Sequence, residues 1–192
     1  MSGLILKNRK PEPFPMNDFT PSLILQLRQG NPSAALLLEQ LYRRPLLRFC
    51  RGYVGTEAED AVQEVFARVL GAEVVPQNFR PWIYSIARNL CLNLRRNQQI
   101  RQCGPLASDL DLVRSVTGPL SGLIRQERFA EVHQWVQDLP QELRETLRLR
   151  YTEGLSRGEV AEVLETSTER VKMQLFKGME LLRRKVEITG AD

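Results

Sequence analysis

The sequence has few residues that form cross-links or bind metals, with three cysteines and a single histidine among 192 residues. Cys50, Cys91 and Cys103 are odd in number, and no two of them are closely spaced. A disulfide framework needs paired cysteines, and a structural zinc site needs closely spaced cysteine or histidine ligands. We therefore predict reduced cysteines, no metal site and no cofactor.

Long apolar segments and strand patterns are missing as well. No apolar run approaches the roughly 20 residues that a membrane-spanning helix requires. The N-terminal segment contains Pro11, Pro13 and Pro15 and does not resemble a signal peptide. The alternation of apolar and polar residues that marks a half-buried strand extends over no useful length. These absences predict an all-α, cytoplasmic protein without membrane insertion. The prolines of the N-terminal segment predict a disordered arm over residues 1–16.

The overall charge says little about partners, because 27 basic residues are set against 23 acidic ones and the net charge is only +4. Its distribution is more informative. Residues 139–169 contain four cations and seven anions, whereas residues 170–192 contain six cations and three anions. A basic cluster of this kind is a better indication of nucleic-acid binding than net charge.

Residues 155–185 contain two helical patterns separated by a short break, which is typical of a helix-turn-helix. Ser156 is placed to cap the first helix, with Glu159 as its capping-box partner three residues later. The pattern is interrupted at Glu165, and Ser167 is placed to cap the second helix. The sequence therefore predicts a short amphipathic helix followed by a longer basic one.

The first turns of the second helix contain the side chains that a helix in the major groove must present to DNA. The predicted DNA-binding residues are Ser167, Thr168, Glu169, Arg170, Lys172, Met173, Gln174 and Lys177. The alternative is an ordinary helical hairpin with a solvated basic face, because short helical pairs are common in all-helical proteins.

The segment before this motif is predicted to support it from behind. Leu139, Leu143, Leu147 and Tyr151 recur at helical spacing, and Gly154 suits a C-terminal cap. We therefore expect these four large side chains to pack against the helix-turn-helix.

Helical patterning in the N-terminal half begins near Pro21, breaks at residues 30–32 and resumes from Ser33 to about Tyr53. Thr56 is then placed to cap a third helix, whose inward side is apolar. The predicted inward residues are Ala61, Val62, Val65, Phe66 and Val69.

The polar side of this third helix carries Asp60, Gln63 and Glu64. Acidic residues near a helix N-terminus favour the helix dipole, which accounts for Glu57 and Glu59. It accounts less well for Gln63 and Glu64, because they lie further along the helix. A polar surface beside apolar neighbours suits docking on a basic protein partner.

Residues 79–101 combine aromatic, arginine and asparagine residues without any acidic residue. This combination suits single-stranded nucleic acid, because bases stack on aromatic rings and phosphates attract cations. Trp82 and Tyr84 have an alternative role as side chains that fill or border a core. The predicted nucleic-acid-binding residues are Arg80, Trp82, Tyr84, Arg88, Asn89, Asn93, Arg95 and Arg96.

Glycine, proline, serine and aspartate interrupt the helical pattern over residues 99–123. A linker of this length predicts two small helical domains, one on each side of it, joined flexibly.

Four segments, in order along the chain, resemble segments of the bacterial extracytoplasmic function (ECF) sigma factors. We take these proteins to be the smallest members of the primary sigma family. They are QGNPSAALLLEQLY (29–42), EDAVQEVFARVL (59–70), FRPWIYSIARNLCLNLRR (79–96), and the segment from LPQELRETLRLRYTEG through the helix-turn-helix (139–184). The resemblance implies a promoter-melting domain over residues 17–98 and a domain over residues 124–187 that binds the minus-thirty-five element.

The resemblance also implies partners for each segment. Asp60, Gln63, Glu64 and Phe66 are expected to dock on the clamp helices of the largest subunit of core RNA polymerase. The eight residues of the basic and aromatic stretch are expected to melt and read the minus-ten element of promoter DNA. The second domain is expected to contact the flap of the second-largest subunit, and an anti-sigma factor is a further expected partner.

Several positions depart from the pattern of this family. Glu165 stands where the turn often has glycine, while Gly158 and Gly178 replace residues with a higher helix propensity. Met173 and Gln174 stand where serine and arginine are common, so the promoter sequence cannot be transferred from the family.

Two other functions fit parts of the sequence. An autonomous helix-turn-helix regulator would use residues 17–98 for dimerisation or sensing, but the basic stretch 79–101 argues against it because interface cores tend to lose charge. A nuclease would need carboxylates clustered around a metal, and no catalytic constellation is present. We therefore expect a non-enzymatic sigma factor that directs core RNA polymerase to promoters.

Overall fold

A computed structural model of the chain describes residues 21–101, 132 and 134–189. Every regular element in these ranges is helical, which confirms the predicted all-α architecture. The predicted arm over residues 1–16 lies outside the described residues, as does the predicted linker beyond residue 101. Residues 21–101 are called the first domain below, and residues 134–189 the second domain.

The first domain begins with two helices joined by a tight turn. Helix α1 spans Pro21–Arg28 and helix α2 spans Pro32–Val54. Gly30 adopts a φ of 77° in the turn, a conformation that favours glycine. The Asn31 side chain accepts a hydrogen bond from the Ser33 N–H at 3.0 Å and so caps α2. Both helices and the break between them agree with the sequence prediction.

Two further helices complete the first domain. Helix α3 spans Ala58–Gly71 and helix α4 spans Phe79–Arg101, which carries α4 beyond residue 98. The prediction that Thr56 caps α3 is wrong. Gly55, with a φ of 56°, begins a single 3-10 turn over Gly55–Glu57, and the helix that follows has no side-chain cap.

Large buried side chains from α2 and α4 form the centre of the first domain. The rings of Phe49 and Tyr84 meet edge to face with centroids 5.3 Å apart, and those of Tyr42 and Phe79 at 5.4 Å. Burial of a side chain of this size contributes about 1.5–3 kcal/mol to folding. The inward residues predicted on α3 are buried except Phe66, which is half-buried.

Two of the three cysteines lie in this core. Cys50 on α2 and Cys91 on α4 are both free and fully buried. A hydrogen bond to Cys91 and burial raise the pKa of the Cys50 thiol far above its usual value, so this thiol stays protonated. Cys103 lies outside the described residues.

The second domain contains helix α5 (Gln141–Leu147), a π-helical turn (Arg148–Thr152), helix α6 (Arg157–Val163) and helix α7 (Thr168–Thr189). Residues 134–137 are also helical.

The π-helical turn changes which side chains face inward. Its wider spacing is visible in the hydrogen bond from the Glu153 N–H to the Arg148 carbonyl oxygen, at 3.0 Å. Leu149 is therefore fully buried, whereas Tyr151 is 52% exposed. Leu139, Leu143 and Leu147 are buried as predicted, but the inward prediction for Tyr151 is wrong because it assumed a regular α-helix.

Helices α6 and α7 form the predicted helix-turn-helix. The Ser156 side chain accepts from the Glu159 N–H at 3.2 Å, and the Glu159 carboxylate accepts from the Ser156 N–H at 2.7 Å. This reciprocal pair confirms the predicted capping box. The Ser167 hydroxyl accepts from the Arg170 N–H at 3.2 Å and caps α7, again as predicted.

The turn between α6 and α7 forces Glu165 into a φ of 51°, where a side chain with a Cβ is strained. We expect Glu165→Gly to stabilise the protein by about 1 kcal/mol, because relief of this strain exceeds the entropic cost of glycine. Thermal unfolding should then shift upward by roughly 2–4 °C. Glu165→Ala keeps the Cβ and is the control without this gain, and a lower melting temperature for Glu165→Gly would contradict the argument.

The two helical glycines of the motif differ in their surroundings. A Cβ at Gly178 would approach Leu147 Cδ1 to 2.9 Å, so the absence of a side chain lets α7 pack closely on α5. A Cβ at Gly158 would meet only Ser156 Oγ at 3.9 Å, which is ordinary contact. Packing therefore explains the low helix propensity accepted at Gly178 but not at Gly158.

Candidate polymerase and nucleic-acid interfaces

The polar side of α3 faces solvent. Asp60, Gln63 and Glu64 are all exposed, and Phe66 is half-buried beside them. Glu64 forms an ion pair with Arg68 one turn later at 2.8 Å, a surface pair worth about 0.3–0.5 kcal/mol. The four side chains predicted to dock on polymerase thus lie on one helix, with three available to a partner and the fourth bordering the core.

The eight residues predicted on α4 do not form a single surface. One side of α4, called its outer face below, carries Trp82, Asn89, Asn93 and Arg96. These residues are exposed apart from Trp82, which is half-buried. The Trp82 ring meets Phe79 edge to face with centroids 5.6 Å apart. Trp82 therefore borders the core, while part of its ring remains accessible on the outer face.

Arg80, Tyr84 and Arg88 lie on the opposite, inner face of α4, which is covered by the second domain. Arg80 is 8% exposed and Tyr84 is fully buried. Arg88 is half-buried, as is Arg95 further along the helix. In this arrangement the rings and cations of the inner face contact protein groups and are not available to nucleic acid.

Glu153, at the end of the π-helical turn, is the residue that meets this inner face. Its carboxylate accepts hydrogen bonds from Arg48 Nη2 at 2.8 Å and from the Tyr84 hydroxyl at 2.9 Å. Its backbone carbonyl oxygen accepts from Arg80 Nη2. Burial and the nearby Glu153 carboxylate together raise the pKa of Tyr84 well above its usual value. Tyr84 is therefore a neutral donor held by an acceptor from the other domain.

The first turns of α7 are open to solvent. Thr168, Glu169, Arg170, Lys172 and Lys177 are exposed, as is the capping residue Ser167, and Met173 is 71% exposed. Gln174 is half-buried because it lies closer to α5. The residues predicted for DNA contact thus project from one accessible helix end, except for Gln174.

Glu142 on α5 contacts two of these residues. Its Oε2 pairs with Arg170 Nη2 at 3.2 Å and accepts from Gln174 Nε2 at 3.2 Å. Gln174 also accepts a hydrogen bond from the Thr146 hydroxyl at 2.9 Å. Arg170 and Gln174 are therefore oriented by α5, a feature that their spacing on α7 did not reveal.

Sequence reasoning missed two residues of these surfaces. Phe176 lies on α7 one turn after Lys172 and is 73% exposed, and it is not among the residues predicted for DNA contact. Arg48 on α2 was also overlooked, because nothing in the local pattern of α2 shows that it meets Glu153. The sequence signal that could have identified Phe176 is its position out of phase with the apolar residues that α7 buries.

Among the described residues, no group of three or more histidine, cysteine, aspartate or glutamate side chains is placed to hold a metal ion. None of the helices in the described ranges is both long enough and apolar enough to cross a membrane.

Comparisons with known proteins agree with the two-domain arrangement. Residues 38–100 match the family described as Sigma-70 region 2, and residues 135–184 match Sigma-70, region 4. The chain is 30% identical over 173 residues to the RNA polymerase sigma-H factor of Pseudomonas aeruginosa, covering 83% of this chain and 90% of that protein. The chain belongs to the ECF sigma factors. The broader grouping expected from the sequence is corrected from primary sigma factors to the sigma-70 family.

Other relatives of this sigma factor are consistent with that conclusion. It is 25% identical over 176 residues to the ECF RNA polymerase sigma factor SigW of Bacillus subtilis, covering 85% of this chain and 94% of the relative. Its fold matches CnrH in a structure of CnrH with the cytosolic domain of CnrY, with a TM-score of 0.61 and 22% identity. That match covers 87% of this chain and 96% of the CnrH chain.

The family establishes the general activity. This sigma factor associates with RNA polymerase and directs transcription initiation at promoter DNA, and it is a non-enzymatic initiation factor. The match to region 2 over residues 38–100 favours this function over an autonomous regulator, because a regulator needs only the helix-turn-helix.

Proposed function

We propose that the polar side of α3 is the principal contact of this sigma factor with the clamp helices of the largest polymerase subunit. The exposure of Asp60, Gln63 and Glu64 on one helix carries this proposal, because the three form a polar surface that no element of the described chain covers. Phe66 borders it and supplies apolar area. The second domain would contact the flap of the second-largest subunit, and the complex would form in the cytoplasm with the polymerase.

The minus-ten element is assigned first to the outer face of α4. Asn89, Asn93 and Arg96 are exposed there, and Trp82 presents part of its ring beside them. Asparagine reads base edges, arginine binds phosphates, and an indole offers a stacking surface for an unpaired base. The inner-face residues Arg80, Tyr84 and Arg88 join this surface only after the second domain has moved away.

The minus-thirty-five element is assigned to the N-terminal turns of α7. Arg170 is exposed, is held by Glu142 and lies in the first turn, near enough to a groove floor for a bidentate contact with guanine. Lys172 and Lys177 are flexible exposed cations that suit phosphates. Phe176 and Met173 add apolar surface that suits a thymine methyl group.

An anti-sigma factor is a further proposed partner. The support is the fold match to CnrH, whose structure was determined with the cytosolic domain of CnrY. Such a partner would have to compete with polymerase for the polar side of α3.

The assignment of α7 predicts different effects for Arg170 and for the lysines. Arg170→Ala should relax the preference at one base position, with a loss of discrimination of roughly 1–3 kcal/mol. Lys172→Ala and Lys177→Ala should weaken binding to all duplexes alike and lower the salt slope by about 0.9 per phosphate contact. Selection from randomised upstream elements and salt titration of DNA affinity measure the two effects.

Arg183→Ala is the matched control, because it removes an exposed arginine from the same helix beyond the first turns. It should leave the selected sequence unchanged. If Arg170→Ala selects the same sequence as the wild type and only lowers affinity, Arg170 binds a phosphate instead of a base.

A further inference from the structure

Four side chains from two helices form a hydrogen-bonded network beside the end of α7 that is assigned to DNA. Glu142 and Thr146 lie one turn apart on α5, and Arg170 and Gln174 lie one turn apart on α7. We infer that Glu142 is a specificity-determining residue, which holds the Arg170 guanidinium in position for a guanine of the minus-thirty-five element and binds no base itself. This inference rests on the proposed assignment of α7 to that element.

The Glu142 carboxylate links the two residues of α7. Its Oε2 lies 3.2 Å from Arg170 Nη2 and 3.2 Å from Gln174 Nε2. A carboxylate oxygen only accepts hydrogen bonds, so it holds both donors at once. The contact uses one nitrogen of the planar guanidinium, which leaves Nη1 and Nε to meet a base. Glu142 thus fixes the direction of Arg170 while most of its donors stay available.

Gln174 is held at both ends of its amide. Because Glu142 can only accept, the amide turns Nε2 toward the carboxylate, and Oε1 then accepts from the Thr146 hydroxyl at 2.9 Å. The same hydroxyl lies 2.7 Å from the Glu142 carbonyl oxygen, and Thr146 is fully buried. A glutamine reads adenine with its amide oxygen and nitrogen together. Both groups of Gln174 are engaged with α5, so its role is to support Glu142 and Arg170.

The position of Arg170 affects discrimination because an arginine side chain loses rotational freedom when it binds a base. Arg170 is 60% exposed, so without a partner its guanidinium would sample many directions in solvent. A guanidinium that is held before binding loses less freedom, which favours the correct base. At a wrong base pair no bidentate contact forms, and this advantage is absent. The carboxylate also repels the phosphates of every duplex alike, so Glu142 raises discrimination while it lowers general affinity.

Helix stability is the competing explanation for Glu142. The residue lies in the first turn of α5, where an acidic side chain favours the helix dipole. That role predicts a lower melting temperature when Glu142 is replaced, and no change in the DNA sequence that is selected. An exposed ion pair contributes little to folding, so the positioning role predicts a changed selection with a nearly unchanged melting temperature.

Variants of the full-length chain, each reconstituted with core polymerase, test the positioning role. Glu142→Ala removes the charge and the acceptor, whereas Glu142→Gln removes the charge and keeps one acceptor oxygen. Gln174→Ala removes the bridge to Thr146, and Arg170→Ala removes the side chain that is positioned. Each holoenzyme selects upstream elements from a randomised pool. Its affinity is then measured for the duplex that the wild type selects and for duplexes with each base pair of that element changed.

We expect Glu142→Ala, Gln174→Ala and Arg170→Ala to relax the preference at the same base pair. In Glu142→Ala, discrimination at that base pair should fall roughly 2- to 12-fold, which corresponds to the lost orientation of one side chain. Its affinity for the mismatched duplex should stay equal or rise. Glu142→Gln should keep more discrimination than Glu142→Ala, although both lose the same charge. In an Arg170→Ala background, Glu142→Ala should cause no further change in selection.

Glu187→Ala is the matched control, because it removes one exposed acidic side chain from the other end of α7, about 25 Å from Arg170 along the helix. It should keep the wild-type selection and discrimination. Equal losses in Glu187→Ala and Glu142→Ala would reduce the effect to net charge and overturn the inference. A lower melting temperature for Glu142→Ala with the wild-type selection would overturn it in favour of the helix dipole. Relaxation of a different base pair by Gln174→Ala would make Gln174 a reader and refute its supporting role.

The wild type and Arg170→Ala separate this inference from the proposed function. A wild-type holoenzyme without any upstream preference would remove α7 from recognition of the minus-thirty-five element, and the role of Glu142 with it. A uniform loss of affinity in Arg170→Ala would make Arg170 a phosphate contact and refute the positioning role. If Arg170→Ala relaxes one base pair and Glu142→Ala leaves that preference unchanged, α7 still reads the element and only the role of Glu142 is refuted.

Discussion

Replacing Asp60 and Glu64 together by arginine is expected to abolish stable association with core RNA polymerase while the helical content stays unchanged. Both positions are exposed on α3, so the change adds no strain to the core. Reversal of charges at an interface commonly costs about 2–5 kcal/mol, which corresponds to roughly 30- to 4,000-fold in affinity. Copurification with core polymerase and circular dichroism measure the two properties.

The control for this experiment is Glu39→Arg combined with Glu73→Arg. These residues are also exposed and change the net charge by the same amount, but they lie on α2 and in the loop after α3. Normal polymerase binding by this control would attribute the loss to the polar side of α3. Undiminished binding by the Asp60 and Glu64 double variant would remove α3 from the polymerase interface.

The second large effect is expected from Tyr84→Ala, as a loss of stability. Tyr84 is fully buried, packs edge to face on Phe49 and donates to Glu153. Truncation of a buried aromatic ring to alanine costs about 3–5 kcal/mol. In a protein of this size each kcal/mol lowers the melting temperature by roughly 2–4 °C, so a fall of about 6–20 °C is expected by calorimetry.

Tyr84→Phe is the informative companion, because it keeps the ring on Phe49 and removes only the hydroxyl that meets Glu153. It should cost about 1–3 kcal/mol and leave most of the core intact. Trp82→Ala should instead cost less stability and impair open-complex formation, because its ring is half-buried and borders the outer face. A Tyr84→Ala protein that melts like the wild type yet cannot open promoters would make Tyr84 a stacking platform after all.

Local sequence signals predicted the helices well. The capping box of Ser156 and Glu159 and the Ser167 cap are formed as their spacing indicated, because both partners lie within one helical turn. The predictions for Thr56 and Tyr151 failed where the backbone leaves the regular α-helix, at a 3-10 turn and at a π-helical turn. Neither turn has a strong signature in residue type.

The candidate site was harder to predict than the fold. Periodicity placed Trp82 and Tyr84 in one basic helix, but which face meets another domain depends on residues far away in the chain. Tyr84 and Glu153 are 69 residues apart, and Arg48 and Glu153 are 105 apart. The pairing of Arg170 with Glu142 was also not predictable from local spacing, because the two residues are 28 positions apart. Charge counts showed an acidic and a basic segment but not that they touch.

The π-helical turn makes the contact between the two domains sensitive to the number of residues in the turn. Its wider spacing corresponds to one residue inserted into an α-helix, and that residue rotates everything after it by about 100° around the axis. Deletion of a single residue within Arg148–Thr152 would therefore turn Tyr151 toward the leucine layer and swing Glu153 away from Arg48 and Tyr84. The contact between the domains thus depends on a single residue of this turn, and its gain or loss leaves the exposed surface of α3, which precedes the turn, unaltered.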